Sequence, residues 1–162
     1  MYLYFFEGFN GNSHISESLA KEVLAMYSME KGIEIDKEKI CIFKESGKKP
    51  YTNIEGIHFN ISHSGCLWVC AVSDKEIGID IQEVVQKEYE KITDRYYTEN
   101  EKKHVRLWGQ EGFYNIWVRK EAYCKLKGNS VFSVLGNIET VENDFYKYKI
   151  EDAYIYEVEI LP

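Results

Sequence analysis

The amino-acid sequence predicts an α+β fold. Segments that alternate like β-strands and segments with helical spacing are mixed along the chain, without the strict β–α–β order of a parallel α/β protein. A length of 162 residues is in the range of one domain and is sufficient to bury a core. The two prolines, Pro50 and Pro162, form no proline-rich linker, so we expect one domain over residues 1–162.

Five segments of the first half of the chain have strand-like composition: residues 2–6, 40–43, 57–62, 67–73 and 76–84. Short turns containing Gly or Asp separate the last three, which predicts an antiparallel meander. The segment Gly47-Lys48-Lys49-Pro50 before them predicts a turn. Residues 131–160 alternate again and predict a closing hairpin.

Helical spacing begins after the first strand. Ser13 or Ser16 is the expected N-cap of a helix that ends near Lys31, with Gly32 in the C′ position. Three further helical pieces are expected between residues 87 and 127: one around 89–96, one from 99 and one from 111 to 127, ending at Gly128-Asn129.

Charge and composition disfavour several functions. The formal net charge of −7 argues against binding to nucleic acid or to an anionic membrane. No apolar run approaches the roughly 18 residues that a membrane helix needs. The N-terminal residues lack the basic start and long apolar stretch of a signal peptide, and the four cysteines form no Cys-x-x-Cys pair. We therefore expect a cytoplasmic protein with free thiols and without nucleic-acid or membrane partners.

The strand at residues 76–84 contains a candidate metal ligand. Strand alternation places Asp80 and Gln82 on the face opposite its three isoleucines. Two neighbouring side-chain oxygens suit a hard cation such as Mg²⁺. The alternative is that Asp80 lies on the solvated face of an edge strand.

The last helical piece contains a second candidate. Trp117, Glu121 and Lys125 are four residues apart and share one helix face. Glu121 could hold a metal and Lys125 a phosphate, or the two could form an ordinary surface ion pair. Thr98 and Glu101 have the spacing of a capping box, which is a sufficient explanation of both residues.

The run His58-Phe59-Asn60-Ile61-Ser62-His63-Ser64-Gly65 ends a strand with small and polar side chains. Ser62 and His63 suit an anion such as phosphate, and Gly65 would allow a ligand to approach the backbone closely. A hydrolase based on Ser62 and His63 is geometrically poor, because adjacent strand residues point to opposite faces. A structural role for His63 in a turn is the simpler alternative.

Five motifs in one order resemble a known family: Gly47-Lys48-Lys49-Pro50; Phe59-Asn60-Ile61-Ser62-His63-Ser64-Gly65 with Trp68; Gly78-Ile79-Asp80; Arg95-Tyr96-Tyr97-Thr98 with Glu101; and Trp117 with Lys120-Glu121-Ala122 and Lys125. Over roughly residues 14 to 135 this succession closely resembles the 4′-phosphopantetheinyl transferases of the surfactin-synthetase-activating type. These enzymes transfer the 4′-phosphopantetheine group of coenzyme A to a serine of an apo acyl or peptidyl carrier protein, with Mg²⁺ at the pyrophosphate.

The resemblance implies a fold and a set of roles. The fold would be two similar subdomains, about 1–84 and about 85–162, each with a long helix on an antiparallel sheet, related by pseudo-twofold symmetry. The active site would lie in the cleft between them, with Ser62 and Asp80 from the first half and Glu121 from the second. The implied metal ligands are Asp80, Glu121 and Gln82; the implied coenzyme A contacts are Ser18, Lys49, Ser62, His63 and Lys125; and the implied catalytic residues are Glu121, Glu101 and Lys125.

Three departures from the pattern bear on function. Gln82 stands where many members of this type have Glu, so the site loses a negative charge. The stretch before the first helix is short where this type usually has basic residues, and Glu17 precedes Ser18 where Arg is common. Carrier proteins are acidic, so docking on this acidic chain would need a local patch, for which 102–106 is the candidate.

Two further expectations follow from the resemblance. A chain that supplies both halves of the cleft is expected to work as a monomer. The rival function is a non-catalytic relative that binds coenzyme A or a carrier protein. The sequence leaves open which carrier is served, whether of fatty-acid, polyketide or peptide synthesis, and which group acts as the general base.

Overall fold

A computed structural model of the chain describes residues 1–46, 48–128, 136, 138–141, 146–150 and 153–159. Gly47 of the predicted turn, Asn129 after the last predicted helix and Ile160 of the predicted hairpin lie outside these ranges. Strands and helices are mixed in the described ranges, so the predicted α+β class is confirmed.

Eight strands occur in the described part of the chain: β1 (Tyr2–Glu7), β2 (Ile42–Phe43), β3 (Tyr51–Thr52), β4 (His58–Ser64), β5 (Leu67–Ser73), β6 (Ile77–Glu83), β7 (Tyr146–Ile150) and β8 (Ala153–Glu159). The helices are α1 (Ser13–Glu30), a short 3-10 helix (Lys37–Lys39), α2 (Glu90–Tyr96) and α3 (Glu99–Lys127). Over the ranges described, none of these helices has the length and apolar character to cross a membrane.

The strands form three antiparallel sheets with the orders β1-β5-β4, β2-β3 and β6-β8-β7. The predicted meander is confirmed for β4 and β5 but is wrong for β6, which pairs with β8. The reason is that β1 and β4 already occupy both edges of β5, so no edge remains for β6. The predicted hairpin is confirmed by the pairing of β7 with β8.

Sheet pairing also places Asp80 differently from the expectation. The expected division near residue 84 puts Asp80 in the first half of the chain. However, β6 shares a sheet with β7 and β8. A division by sheets therefore falls between β5 and β6, and Asp80 belongs to the β6-β8-β7 sheet.

The N-cap of α1 is Asn12 and not Ser13 or Ser16. The Asn12 side-chain oxygen accepts hydrogen bonds from the backbone N–H groups of residues 14 and 15. The Ser16 hydroxyl lies inside the helix and accepts a hydrogen bond from the Trp68 indole at 2.9 Å. Gly32 has φ +75°, so its predicted C′ position is confirmed.

Helix α3 consists of two arms, 99–108 and 110–127, joined by a sharp bend at Gly109. Gly109 has φ 59° and ψ −135°, which a residue with a Cβ rarely adopts. The Lys120 ammonium lies 2.9 Å from the Glu101 carboxylate, whereas a straight helix would separate these positions by about 28 Å. The second arm therefore folds back along the first, and the break at Gly109 confirms the predicted division into two helical pieces.

Among the residues that the structure describes, the buried ones form three clusters. One lies between α1 and the β1-β5-β4 sheet and includes Tyr27, Phe59 and Trp68. A second surrounds the bend in α3 and includes Phe113. The third lies on the opposite face of the first sheet, where Val69 and Ala71 of β5 pack against the isoleucines of β6.

Three side chains of β4 hydrogen-bond the backbone of β6. The amide N–H groups of Ile79, Ile81 and Glu83 donate to Asn60 Oδ1 (3.1 Å), Ser62 Oγ (3.3 Å) and Ser64 Oγ (3.0 Å), respectively. Alternate amides of a strand point to opposite edges, so the intervening amides of β6 face its partner β8. We name this row of hydrogen bonds from β6 amides to the side chains of Asn60, Ser62 and Ser64 the β4–β6 seam.

The second arm of α3 packs directly on β6 at Gly78. A Cβ atom at Gly78 would overlap with the carbonyl oxygen of Ala122 and the backbone nitrogen of Leu126. Because both are backbone atoms, a side chain at residue 78 would push the helix away. Gly78 thus brings α3 close to the strand that carries Asp80.

We predict that Asn60→Ala lowers the free energy of unfolding by about 1–3 kcal/mol, because the buried Ile79 amide loses its acceptor. Asn60 is buried, so water does not replace the lost partner. Urea denaturation of both proteins measures the difference.

The matched control is Asn10→Ala, which also removes a side-chain oxygen that accepts a backbone hydrogen bond, but at an exposed site. We expect a loss of less than about 0.5 kcal/mol there. Equal losses in the two variants would contradict a stabilising role of the seam.

Candidate active site

A pocket of about 310 Å³ lies where β4, β6 and the second arm of α3 meet. It is lined by Ile61, Ser62, His63, Asp80, Ile81, Gln82, Trp117, Glu121 and Lys125. Six of the nine predicted site residues are in this set: Ser62, His63, Asp80, Gln82, Glu121 and Lys125. The structure thus brings together residues that are up to 63 positions apart in the sequence.

The centre of the pocket wall is a hydrogen-bonded triad of Ser62, Asp80 and Lys125. Asp80 Oδ1 accepts from the Ser62 hydroxyl at 2.7 Å and from the Lys125 ammonium at 2.7 Å. The Lys125 ammonium also donates to Ser62 Oγ at 2.8 Å. Asp80 is only 6% exposed, so its charge depends on these partners for stabilisation.

The Ser62 hydroxyl uses its full hydrogen-bonding capacity inside the protein. It donates to Asp80 and accepts from the Ile81 amide and from Lys125. A hydroxyl has one hydrogen to donate and two lone pairs, and Ser62 is 5% exposed. The contacts that the structure gives this side chain therefore orient Asp80 and Lys125, whereas the sequence predicted a nucleotide contact.

Glu121 lies beside this triad and is half-buried. Burial raises the pKa of its carboxyl group, the nearby Asp80 carboxylate raises the pKa further, and the Lys125 ammonium opposes both effects. Glu121 and Asp80 are therefore close enough to repel each other when both are ionised. A cation between them would relieve this repulsion.

Gln82 presents its amide oxygen as the available acceptor. Its nitrogen donates to Ser64 Oγ at 3.1 Å and to the backbone carbonyl of Glu83 at 3.2 Å. These two hydrogen bonds fix the side chain at the pocket. The seam residue Ser64 thus positions Gln82 by accepting a hydrogen bond from it, whereas Ser62 positions Asp80 by donating one.

His63 and Gly65 differ in their surroundings. His63 is exposed at the pocket, with its ring centroid 5.1 Å from that of Phe9. The space in front of Gly65 was expected to admit a ligand, but a Cβ there would overlap with the Glu83 carboxylate. A ligand there would have to displace this side chain of β6, so close approach to Gly65 stays a prediction.

Lys49 lines a neighbouring pocket of about 250 Å³. This pocket shares Ile61 and Lys125 with the first one, so the two are adjacent. The Lys49 ammonium forms an ion pair with Glu76. Glu76 is a residue that the sequence patterns missed, because its partner Lys49 is 27 positions away and no local spacing relates them.

Glu101 and Ser18 do not line these pockets in the part of the chain that the structure describes. Glu101 is fully buried, paired with Lys120, and accepts from the N–H groups of Thr98 and Thr140. The predicted capping box is present and confirmed. Ser18 is exposed on α1. No sequence pattern predicted that Lys120 is buried, because a charged side chain usually indicates a surface position.

Comparison with known proteins gives the family. The model of the 4′-phosphopantetheinyl transferase superfamily matches residues 76–158, which is half of the chain. The chain belongs to this superfamily. The matched range begins just before β6 and includes Asp80, Gln82, Glu101, Glu121 and Lys125. The resemblance predicted from the five motifs is therefore confirmed.

Three curated transferases are similar to the chain. It is 32% identical to the 4′-phosphopantetheinyl transferase gsp of Aneurinibacillus migulanus, over 88% of this chain and 63% of the relative. It is 32% identical to psf-1 of Bacillus pumilus, over 70% of this chain and 51% of the relative. It is 29% identical to Sfp of Bacillus subtilis, over 70% and 53%. The chain thus spans between half and two thirds of these relatives.

The pocket of this superfamily member offers oxygen donors to a cation. The carboxylates of Asp80 and Glu121 and the amide oxygen of Gln82 are the ligand types that Mg²⁺ prefers. No cluster of three or more acidic, His or Cys side chains suited to a metal occurs among the described residues. Two carboxylates are nevertheless sufficient for Mg²⁺, which usually keeps several waters and substrate phosphates. The donor set therefore fits Mg²⁺ in chemical type.

We predict that Glu121→Gln stabilises the metal-free protein near neutral pH. Because the folded pKa of Glu121 is raised, the wild type loses free energy of unfolding as the pH rises from about 4.3 through that raised value. The neutral Gln side chain avoids this loss. Urea denaturation between pH 4 and 8 in the presence of a chelator measures the free energy of unfolding of both proteins.

The control for charge is Glu88→Gln, which removes a carboxylate from an exposed position. The stability gain of the Glu121 variant should grow as the pH rises and vanish near pH 4. Parallel pH profiles for the Glu121 variant and the wild type would contradict desolvation of this carboxylate.

Proposed function

We propose that this chain transfers the 4′-phosphopantetheine group from coenzyme A to a serine hydroxyl of an apo carrier protein. The observation that carries the proposal is the pocket at which Asp80, Glu121 and Lys125 meet, in a chain that belongs to this superfamily. In the reaction the serine oxygen forms a bond to the β-phosphorus of the coenzyme A pyrophosphate. The phosphoanhydride bond breaks, and adenosine 3′,5′-bisphosphate leaves.

The side chains of the pocket suit this reaction. Phosphoryl transfer depends on positioning and on stabilisation of negative charge more than on covalent help from the protein. Lys125 and His63 present positive or hydrogen-bonding groups to phosphate oxygens, while Asp80 and Glu121, with Gln82, would hold Mg²⁺. When bound, Mg²⁺ supplies neutralisation of pyrophosphate charge.

The acceptor serine must lose its proton during the transfer. Glu121 is the proposed base, because its carboxylate lines the pocket in which the serine hydroxyl would react. Glu101 remains a predicted catalytic residue, and its buried pair with Lys120 supports an indirect contribution that fixes the arm of α3 carrying Glu121.

The nucleotide end of coenzyme A is proposed to extend from the first pocket toward Lys49. The adjoining pocket of about 250 Å³ contains Lys48, Lys49 and Lys125, which supply positive charge for phosphate groups. Ser18 and Ser62 remain predicted contacts of the nucleotide. The carrier protein would dock on the basic residues of 102–106. The monomeric state and the cytoplasmic location also remain predictions.

The two sheets support the proposal of related halves. Helix α1 packs on the three-stranded β1-β5-β4 sheet, and the second arm of α3 packs on β6 of the other three-stranded sheet. Each half thus has a long helix on an antiparallel sheet. We propose a pseudo-twofold relation between these halves, with the pocket at their junction.

One observation favours a second function, binding of coenzyme A or a carrier without transfer. Asp80 Oδ1 is held by Lys125, and the third oxygen donor of the pocket, Gln82, is neutral. Both features reduce the negative charge available to a metal. A non-catalytic relative could retain such a site.

A transfer assay separates the two functions. The chain is incubated with coenzyme A, Mg²⁺ and several apo carrier proteins, and the carriers are then weighed by mass spectrometry. We expect a mass increase of one phosphopantetheine group on at least one carrier. Coenzyme A binding without an adduct on any carrier would refute transfer and support the binding function.

We predict that Asp80→Ala and Glu121→Ala each lower the transfer rate by about a hundredfold or more, because each removes a charged group from the reacting centre. Gln82→Glu should retain or raise the rate by restoring an acidic oxygen donor. Initial rates of adduct formation measure these effects. Wild-type rates in the Glu121→Ala variant would refute the metal assignment.

Two exposed positions provide controls for these variants. Asp74→Ala removes an acidic side chain whose ion pair with Lys31 is on the surface. Gln86→Glu adds the same charge as Gln82→Glu at an exposed residue outside the pocket. Neither should change the transfer rate by more than about twofold.

A further inference from the structure

A second basic pocket, of about 390 Å³, lies next to the proposed coenzyme A path. It is lined by Lys48, Lys49, Tyr51, Glu76, Leu126, Lys127 and Gly128. Three of these lining residues carry an ammonium group, and Glu76 is the single carboxylate among them. An acidic side chain therefore lies in a pocket whose other charges suit an anionic ligand.

Both carboxylate oxygens of Glu76 are engaged. Oε2 forms the ion pair with the Lys49 ammonium, and Oε1 lies 3.2 Å from Nδ1 of His58. The Lys49 contact comes from the loop before β3, and the His58 contact comes from β4. Together they hold the carboxylate in one place, although the Glu76 side chain is 41% exposed. Glu76 precedes β6, so its backbone position is fixed by the sheet.

Among the lysines of this pocket, Lys49 is the one whose side chain interacts most closely with the rest of the protein. Its side chain is 20% exposed, compared with 69% for Lys48, whose partner is Glu45 at 2.6 Å. Lys127 lies over the ring of Tyr123 at 5.6 Å. Glu76 thus neutralises the most buried cation of the pocket.

The pocket is continuous with the proposed active site. It shares Lys48, Lys49 and Gly128 with the pocket of about 250 Å³, which in turn shares Ile61 and Lys125 with the pocket that contains Asp80. A long anionic ligand that begins at Lys125 would reach Lys49 next. Any phosphate group placed there meets the Glu76 carboxylate.

We propose that Glu76 is an internal counter-anion that competes with the phosphate groups of coenzyme A for Lys49. This inference rests on the proposed function, because it requires Lys49 to contact coenzyme A. In the free protein Glu76 holds the Lys49 ammonium; when coenzyme A binds, a phosphate takes that ammonium and Glu76 keeps its contact with His58. Glu76 is a positioning residue that sets the affinity for coenzyme A, and it does not take part in the transfer step.

The direction of the effect follows from the charges. Removing the Glu76 carboxylate ends the competition for Lys49 and removes repulsion between this carboxylate and the ligand phosphates. Partly exposed ion pairs have energies near 1 kcal/mol or below, so Glu76→Gln should bind coenzyme A roughly three- to fivefold more tightly. The KM for coenzyme A should fall by the same factor at unchanged kcat.

Titration calorimetry of the full chain with coenzyme A tests this inference, with transfer kinetics as the second readout. Glu22→Gln is the matched control, because it removes a carboxylate from an exposed ion pair with a lysine, Lys37, and changes the net charge equally. Neither Glu22 nor Lys37 lines these pockets, so the substitution should change the affinity by less than about twofold.

A double variant tests whether Glu76 acts through Lys49. In a Lys49→Met background, Glu76→Gln should give at most about half of the tightening measured in the wild type, because the competition is gone and only direct repulsion remains. Undiminished tightening in that background would overturn the competition and leave a general charge effect.

The outcomes distinguish this inference from the proposed function. Coenzyme A binding by the wild type with equal or weaker binding by Glu76→Gln overturns the role of Glu76 alone. Absence of coenzyme A binding by the wild type overturns both. Tighter binding by Glu76→Gln with a changed kcat would overturn the separation of affinity from turnover.

Discussion

The β4–β6 seam is the constraint on which the rest of the structure depends. Strand β6 pairs with β8 on one edge, so its other edge presents amide groups to the interior. Side-chain oxygens of β4 satisfy these amides where a neighbouring strand would otherwise do so. The alternative, a row of buried unpaired amides, would cost about 1–3 kcal/mol for each group. The seam therefore fixes the register between the two sheets.

That register also creates the pocket. Ser62 binds the Ile81 amide and, through the same oxygen, the side chains of Asp80 and Lys125. Ser64 does the same for the Glu83 amide and Gln82. Each serine thus joins the sheets and orients a pocket residue. A change in the seam would move the acidic groups as well as destabilise the fold, so stability and function are coupled here.

Local patterns predicted part of this arrangement. The four-residue spacing from Trp117 to Lys125 and the alternation around Asp80 place these residues on one helix face and one strand face without any tertiary information. The pairing of β6 with β8 and the buried pair of Glu101 with Lys120 join residues far apart in sequence. Such contacts form between strand edges and charged groups that only the tertiary fold brings together. Local sequence spacing does not encode them.

Lys125 and Lys49, two of the lysines along the proposed coenzyme A path, share one electrostatic property. Lys125 is paired with Asp80, and Lys49 is paired with Glu76, so each cation carries its own carboxylate in the free protein. At these two positions the lysine charge is therefore already balanced by a carboxylate of the protein. An anionic ligand has to separate these pairs or bring compensating positive charge with it. Because Asp80 is buried and Glu76 is partly exposed, separation costs more at Lys125 than at Lys49. Affinity for an anionic ligand is consequently adjusted most readily at the Lys49 end of the proposed path.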